Sequence, residues 1–200
     1  MPSGCWSTWP TSSFTSCSPA RAPSTTSRNS GRRRRPRAPR PERGRLVVEL
    51  VVAGVGTRMP AWVAEGWQTY ARRMPPHAPL RLVEVPVAGK AGAGRESALE
   101  AERLIGKLPE RARIVALEIT ARPWTTEKLA SRLENWQLEG EPVWFLIGGA
   151  NGLDPQLLAR AHERWSLGPA TLPHMLVRVL VAEQLYRAHT ILSGHPYHRA

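Results

Sequence analysis

Short apolar runs alternate with stretches of helical spacing from residue 46 onward. The apolar runs predict strands, and they cover residues 46–53, 80–85, 114–119 and 143–147. Apolar positions three and four residues apart predict helices at residues 60–73, 96–108, 126–138, 155–163 and 174–192. Thr125 or Thr126 is expected to cap the third helix and Gly140 to stop it. Strands alternating with helices predict an α/β fold, a mostly parallel sheet with helices on both faces.

Ligands bind such sheets beyond the C-terminal ends of the strands, which here means the loops after Ile119, Ile147 and Leu167. Gly148, Gly149 and Gly152 follow an apolar strand, so backbone there either adopts positive φ or closely approaches a ligand or another loop. Residues 165–172 offer mainly main-chain groups and leucines. The main-chain groups can hydrogen-bond the edge of an adenine, and the leucines can pack on its face. A buried crossover loop without a ligand explains the same residues equally well.

Two familiar nucleotide-binding fingerprints are incomplete. Gly54-Val55-Gly56 is followed by Met59 where a third glycine is required, and no Gly-Lys-Ser/Thr follows residues 146–152. A ribose-binding acid is also missing after the first glycines. These departures argue against a nucleotide-dependent oxidoreductase on an ordinary doubly wound sheet.

Charged and aromatic residues mark the last helix and the tail. Arg178 interrupts an apolar run, and His174 lies one turn earlier on the same face. A guanidinium in that setting is either functional, or it reaches water or an interface partner. The tail groups His195, Tyr197, His198 and Arg199, which suits an active-site flap, a disordered end or a metal site. No carboxylate or cysteine lies beside them, so no metal is expected.

The net charge of +12 is concentrated in one segment. Residues 1–45 carry ten arginines and one acid, which leaves 18 basic and 15 acidic side chains, a net of +3, for residues 46–200. The first segment is rich in Ser, Pro and Arg and is predicted to be disordered. It is an RNA-binding arm, an organelle transit peptide, or the product of a start site assigned too far upstream. Its two cysteines leave none for a disulfide or metal site in the folded part, which is compatible with a cytoplasmic protein.

Four segments of residues 46–200 together resemble the ribosomal RNA large subunit methyltransferase H family. This is the 23S rRNA pseudouridine N3-methyltransferase family of the SPOUT superfamily. The segments are VAGVGTRMPAWV at 52–63, LIGGANGL at 146–153, TLPHMLVRVLVAEQLYRA at 171–188 and HPYHR at 195–199. Residues 1–45 have no counterpart in the family, which favours the start-site explanation.

The resemblance implies a C-terminal trefoil knot, a homodimer, and S-adenosyl-L-methionine as cofactor. The substrate would be a pseudouridine in helix 69 of 23S rRNA, methylated at N3 on the assembled ribosome. Family cofactor contacts correspond to Leu117, Gly148, Leu167, Gly168, Pro169, Ala170, Thr171 and Leu172.

For the reaction we expect Arg178 to stabilise charge or to contact phosphate, and His174 to orient the site. Tyr197 and His198 are expected to position the base or accept its proton. The rival hypothesis is a non-catalytic ribosome-binding factor that uses the same knotted domain as a docking surface.

Overall fold

The computed structural model describes residues 46–89 and 95–199. The prediction of a disordered basic extension at residues 1–45 lies outside these residues. So does the greater part of the glycine-rich segment at 88–94.

Five parallel strands form a single sheet in the order β2-β1-β4-β3-β5. They are β1 (Leu50–Val55), β2 (Leu80–Val85), β3 (Arg113–Leu117), β4 (Val143–Ile147) and β5 (Glu163–Trp165). The predicted α/β class with a parallel sheet is therefore confirmed. The strand β5 was not predicted, because three residues carry no periodic signal. Its pairing with β3 is what makes it a strand.

Within the described part of the chain, five α-helices connect the strands or follow them. They are α1 (Ala61–Ala71), α2 (Arg95–Ile105), α3 (Thr126–Glu139), α4 (Pro155–Arg160) and α5 (His174–Ser193). The predicted helix at 155–163 was too long, since α4 ends at Arg160 and the chain turns directly into β5. The tail forms a short 3-10 helix, Pro196–Arg199, which the sequence did not predict.

The signals at both ends of α3 act as expected. The hydroxyl of Thr125 accepts a hydrogen bond from the Lys128 N–H at 3.2 Å, so Thr125 is the N-cap. Gly140 ends the helix in the left-handed conformation with φ of 72°, where a glycine is favoured.

Helices cover both faces of the sheet, as predicted. Alternate residues of β1 enter two separate cores: Leu50 and Val52 pack on the side of α1, α3 and α5, while Val51 and Ala53 pack on the side of α2 and α4. Every residue of β1 and β4 is buried, as a central parallel strand requires. The knot implied by the resemblance remains a prediction. No helix among the described residues is long and apolar enough to cross a membrane.

Substituting Thr125 tests the cap. Thr125→Ala removes the side-chain acceptor of the Lys128 N–H, so the free energy of unfolding should fall by about 1 kcal/mol in urea titration. Thr69→Ala is the control, since the Thr69 hydroxyl bonds only to the Glu65 carbonyl on an exposed helix surface. That change should stay within about 0.5 kcal/mol. Equal losses in the two variants would contradict the capping role.

Candidate active site

A cavity of about 770 Å³ lies at the C-terminal ends of β3, β4 and β5. Its wall consists of residues 117–120 after β3, 147–153 after β4, and 165–168 and 170–174 after β5, with Leu158 and Val177. The three loops predicted to bind a ligand therefore meet around one hollow. Its size is typical of sites for cofactors and small molecules.

The structure brings together nearly all of the predicted cofactor-binding residues. Seven line the cavity, namely Leu117, Gly148, Leu167, Gly168, Ala170, Thr171 and Leu172. Pro169 is not part of the wall, although the residues on both sides of it are.

The loop after β4 folds tightly against itself. A Cβ on Gly148 would lie 2.4 Å from the Gly152 carbonyl carbon and 2.7 Å from the Leu153 nitrogen, so only glycine fits. The Gly152 N–H donates to the Gly149 carbonyl at 3.1 Å, and Gly152 has φ of 77°. The close approach at Gly148 that the sequence left open is thus to the loop's own backbone, and the folded loop then forms a wall of the cavity.

Ser166 organises the loop after β5, and the sequence analysis missed it. Its buried hydroxyl accepts a hydrogen bond from the Gly168 N–H at 3.1 Å and lies 3.1 Å from the carbonyls of Ile119 and Gly168, either of which can take its proton. Gly168 has φ of 123°, which a larger residue would resist. The Ser-x-Gly spacing, typical of a side-chain-supported turn, was the available signal.

Two carboxylates of α2 contact the loop after β4 on the side that faces away from the cavity. Glu96 accepts a hydrogen bond from the Asn151 side-chain amide at 3.2 Å. Glu100, buried with 6% of its surface exposed, accepts one from the Ala88 N–H at 3.1 Å. A Cβ on Gly149 would lie 2.7 Å from a Glu100 carboxylate oxygen, so Glu100 packs directly against the loop.

His174, the first residue of α5, lines the cavity, and its expected role in orienting the site stays a prediction. Its pKa lies below the ordinary value, first because of burial and then because of the nearby Arg178 cation, while Glu100 partly offsets both. The imidazole is therefore neutral at pH 7, so it can accept a proton or a hydrogen bond.

Arg178 is fully buried and does not line the cavity. Its guanidinium donates to a Glu84 carboxylate oxygen at 2.6 Å and to the carbonyls of Val55 and Gly56 at 2.8 and 2.7 Å. A Cβ on Gly54 would lie 3.0 Å from Arg178 Nε, and one on Gly56 would lie 2.8 Å from Met175 Cε, so the two glycines of the Gly-Val-Gly run make room for side chains of α5. Arg178 thus joins α5 to the ends of β1 and β2, and its expected role in the reaction remains a prediction.

The predicted catalytic set is divided: His174 lines the cavity, whereas Tyr197 and His198 in the tail do not. The Tyr197 side chain lies against the middle of α5 at Glu183, and the nine residues from His174 to Glu183 rise about 14 Å. The Tyr197 hydroxyl donates to Glu183 at 3.2 Å, and its ring centroid lies 4.9 Å from that of Tyr186. Burial, followed by a hydrogen bond with Tyr70, raises the pKa of Tyr197 above its ordinary value, so its phenol is protonated at neutral pH.

Arg187 belongs to the same cluster, and the sequence analysis missed it. Its guanidinium lies 4.9 Å from the centroid of the Tyr197 ring and bonds to Glu183 one helical turn earlier. The i,i+4 acid–base pair was the available signal. Within residues 46–89 and 95–199 no group of three or more His, Cys, Asp and Glu could hold a metal ion.

Comparisons with known proteins give a consistent result. A family described as "Predicted SPOUT methyltransferase" matches residues 48–198. The chain is 49% identical over 155 residues to Ribosomal RNA large subunit methyltransferase H of Azotobacter vinelandii, which is 76% of this chain and 100% of the relative. It is 50% identical, with the same coverage, to the protein of that name from Pseudomonas fluorescens. A probable methylase family protein from Haemophilus influenzae is a similar solved structure, with a TM-score of 0.45 and 12% identity over 76% of this chain and 70% of that one.

A substitution at Gly148 tests the packing of the loop after β4. Gly148→Ala places a methyl group against the backbone of residues 152–153, so the loop must shift and the free energy of unfolding should fall by about 1–3 kcal/mol. Denaturant unfolding monitored by tryptophan fluorescence measures the change. Gly89→Ala is the matched control, because a Cβ there meets nothing within 4 Å. If both variants keep wild-type stability, the close approach at Gly148 is not a constraint.

Proposed function

The chain belongs to the SPOUT methyltransferase family, and on that premise we propose that it methylates N3 of a pseudouridine in helix 69 of 23S rRNA. Relatives aligned over their full length at 49–50% identity carry the name of a large-subunit ribosomal RNA methyltransferase. The base, the atom and the assembled ribosome as substrate come from the motifs at 171–188 and 195–199. The cavity at the ends of β3, β4 and β5 is the single observation that carries the proposal.

SPOUT methyltransferases use S-adenosylmethionine, and the cavity has the features that this ligand needs. Among the described residues, the N–H groups of Thr171 and Leu172 donate to no other protein group, so they are available for the edge of an adenine. Leu117, Leu167 and Leu172 supply apolar wall for its face. Gly148 lets the loop after β4 fold against its own backbone, and Gly168 supplies the positive φ in the loop after β5, so both loops keep the shape of the cavity wall.

When bound, S-adenosylmethionine supplies a methyl group on a positively charged sulfur, which a nitrogen lone pair displaces directly. The protein must align the acceptor nitrogen with that group and remove the N3 proton. His174 is the cavity residue suited to orient the acceptor, because its imidazole is neutral and lies at the rim. Arg178 fixes His174 by holding the first turn of α5 against β1.

Tyr197 and His198 are proposed to act on the base from a second copy of the chain. Neither residue lines the cavity of its own protomer, and Tyr197 contacts α5 at Glu183, about 14 Å along the helix from His174. In a homodimer with two-fold symmetry, each tail contacts the partner and each cavity receives one. The protonated phenol of Tyr197 would then donate its hydrogen bond to the base in place of Glu183, and His198 would accept the N3 proton.

Ribosome docking is proposed to supply the specificity. The net charge of +3 on residues 46–200 provides little counterion release on RNA. Recognition must therefore come from shape and from neighbouring ribosomal surfaces. An enzyme of this type acts in the cytoplasm.

The central test is methyl transfer to ribosomes. The protein is incubated with S-adenosylmethionine carrying a labelled methyl group and with ribosomes that lack the modification, and the rRNA is digested and analysed by mass spectrometry. We expect one methyl group at N3 of a pseudouridine in helix 69. Binding of the protein to ribosomes with no affinity for S-adenosylmethionine in calorimetry would favour the non-catalytic docking factor instead.

Mixed dimers test the tail. Leu172→Glu disables the cavity and Tyr197→Ala disables the tail, so each homodimer should lose most of its methyl transfer. A heterodimer of the two variants, purified with two affinity tags, pairs one intact cavity with the partner's intact tail. It should recover about half of the wild-type rate, because one of its two sites is complete. An inactive heterodimer would place cavity and tail residues in the same protomer.

A further inference from the structure

Glu100 is a carboxylate with only 6% of its surface exposed. No lysine or arginine of residues 46–89 and 95–199 forms an ion pair with it. Its one hydrogen bond within these residues comes from the Ala88 N–H at 3.1 Å. A carboxylate that stays charged in such a place is costly unless a cation approaches it.

Glu100 and the charged groups around it have a net charge of −1 on the side of the cavity wall that faces away from the cavity. Arg178 is neutralised by Glu84 at 2.6 Å, and His174 is neutral at pH 7 because its pKa is lowered by burial and then by Arg178. Glu100 is close enough to His174 to oppose this lowering. The formal charges of Glu84, Glu100, His174 and Arg178, of which Glu100 and Arg178 are buried, therefore sum to −1.

Only the backbone of Gly149 separates this charge from the cavity. The carboxylate oxygen lies 2.7 Å from where a Gly149 Cβ would be, and Gly149 is part of the cavity wall. Glycine gives no side chain to screen the charge. Charges a few ångströms apart in a partly buried site interact strongly enough to change affinity by about tenfold or more.

We propose that Glu100 makes the cavity prefer the positively charged methyl donor to the uncharged thioether left after transfer. The inference rests on the proposed function and deepens it. It assigns to a residue behind the cavity wall the discrimination between donor and product. Glu100 does not touch the ligand in this arrangement, so it is a specificity residue that acts through its field.

Calorimetric titration with S-adenosylmethionine and S-adenosylhomocysteine tests the proposal. Glu100→Gln keeps an oxygen for the Ala88 N–H and removes the charge, so the dissociation constant of S-adenosylmethionine should rise about tenfold. The dissociation constant of S-adenosylhomocysteine should stay within about twofold of its wild-type value. Glu102→Gln is the matched control, since it removes the same charge from an exposed position on α2 and should change neither constant.

Each outcome decides one point. A purely structural role for Glu100 would weaken both ligands equally, and an unchanged ratio of the two constants overturns the inference while leaving the proposed function in place. Failure of the wild-type protein to bind either ligand overturns both the inference and the proposed function.

If Glu100→Gln does not fold, the wild-type protein is titrated with sinefungin, which carries an ammonium group in place of the sulfonium. Sinefungin should bind several-fold more tightly than S-adenosylhomocysteine, and equal or weaker binding overturns the inference.

Discussion

A buried guanidinium must find its counter-charge and its acceptors inside the protein, and Arg178 finds them on two strands at once. It bonds to Glu84 at the end of β2 and to the carbonyls of Val55 and Gly56 at the end of β1. Removing one partner of such a pair typically costs about 3–5 kcal/mol, because the other charge is left unpaired. The first turns of α5 are therefore fixed against the sheet, and the segment that leads into α5 is fixed with them.

The attachment of α5 to the sheet through Arg178 determines the shape of the cavity. Residues 166–173 run from β5 to α5, so their path is constrained at one end by the sheet and at the other by Arg178. Ser166 and Gly168 determine the bend between these ends. Opposite them, the loop after β4 is packed so closely that Gly148 has no room for a side chain. A site built from constrained main chain needs little polar side-chain chemistry, which agrees with the composition of its walls.

The position of the tail imposes a second constraint on function. The Tyr197 side chain contacts α5 at Glu183 and Tyr186, beside the middle of the helix, whereas the cavity residue His174 is the first residue of the helix. The tail is not loose, since Glu183, Tyr186 and Arg187 all contact Tyr197. One polar group in the cavity and a second outside it are consistent with a symmetric pair of chains, in which each site takes His174 from one copy and the tail from the other.

Most helices and strands, and the edge of the sheet at which the cavity lies, could be predicted from the sequence alone. Residues 80–85 and 143–147, the cap at Thr125 and the stop at Gly140 were predictable because strand burial, capping and left-handed turns depend on local residue types. The three loops at the ends of β3, β4 and β5 followed from parallel topology. The four motifs at 52–63, 146–153, 171–188 and 195–199 identified the SPOUT methyltransferase family.

Which residues contact one another across the chain could be seen only in the folded structure. The strand β5 exists because β3 offers it a partner, and Glu84 was paired with Arg178 across 94 residues of chain, a separation over which no periodicity carries information. The burial of Glu100 behind Gly149 and the separation of Tyr197 from His174 are of the same kind. Long-range contacts depend on how elements pack and on whether each buried charge finds a partner, and these are properties of the folded whole rather than of any segment.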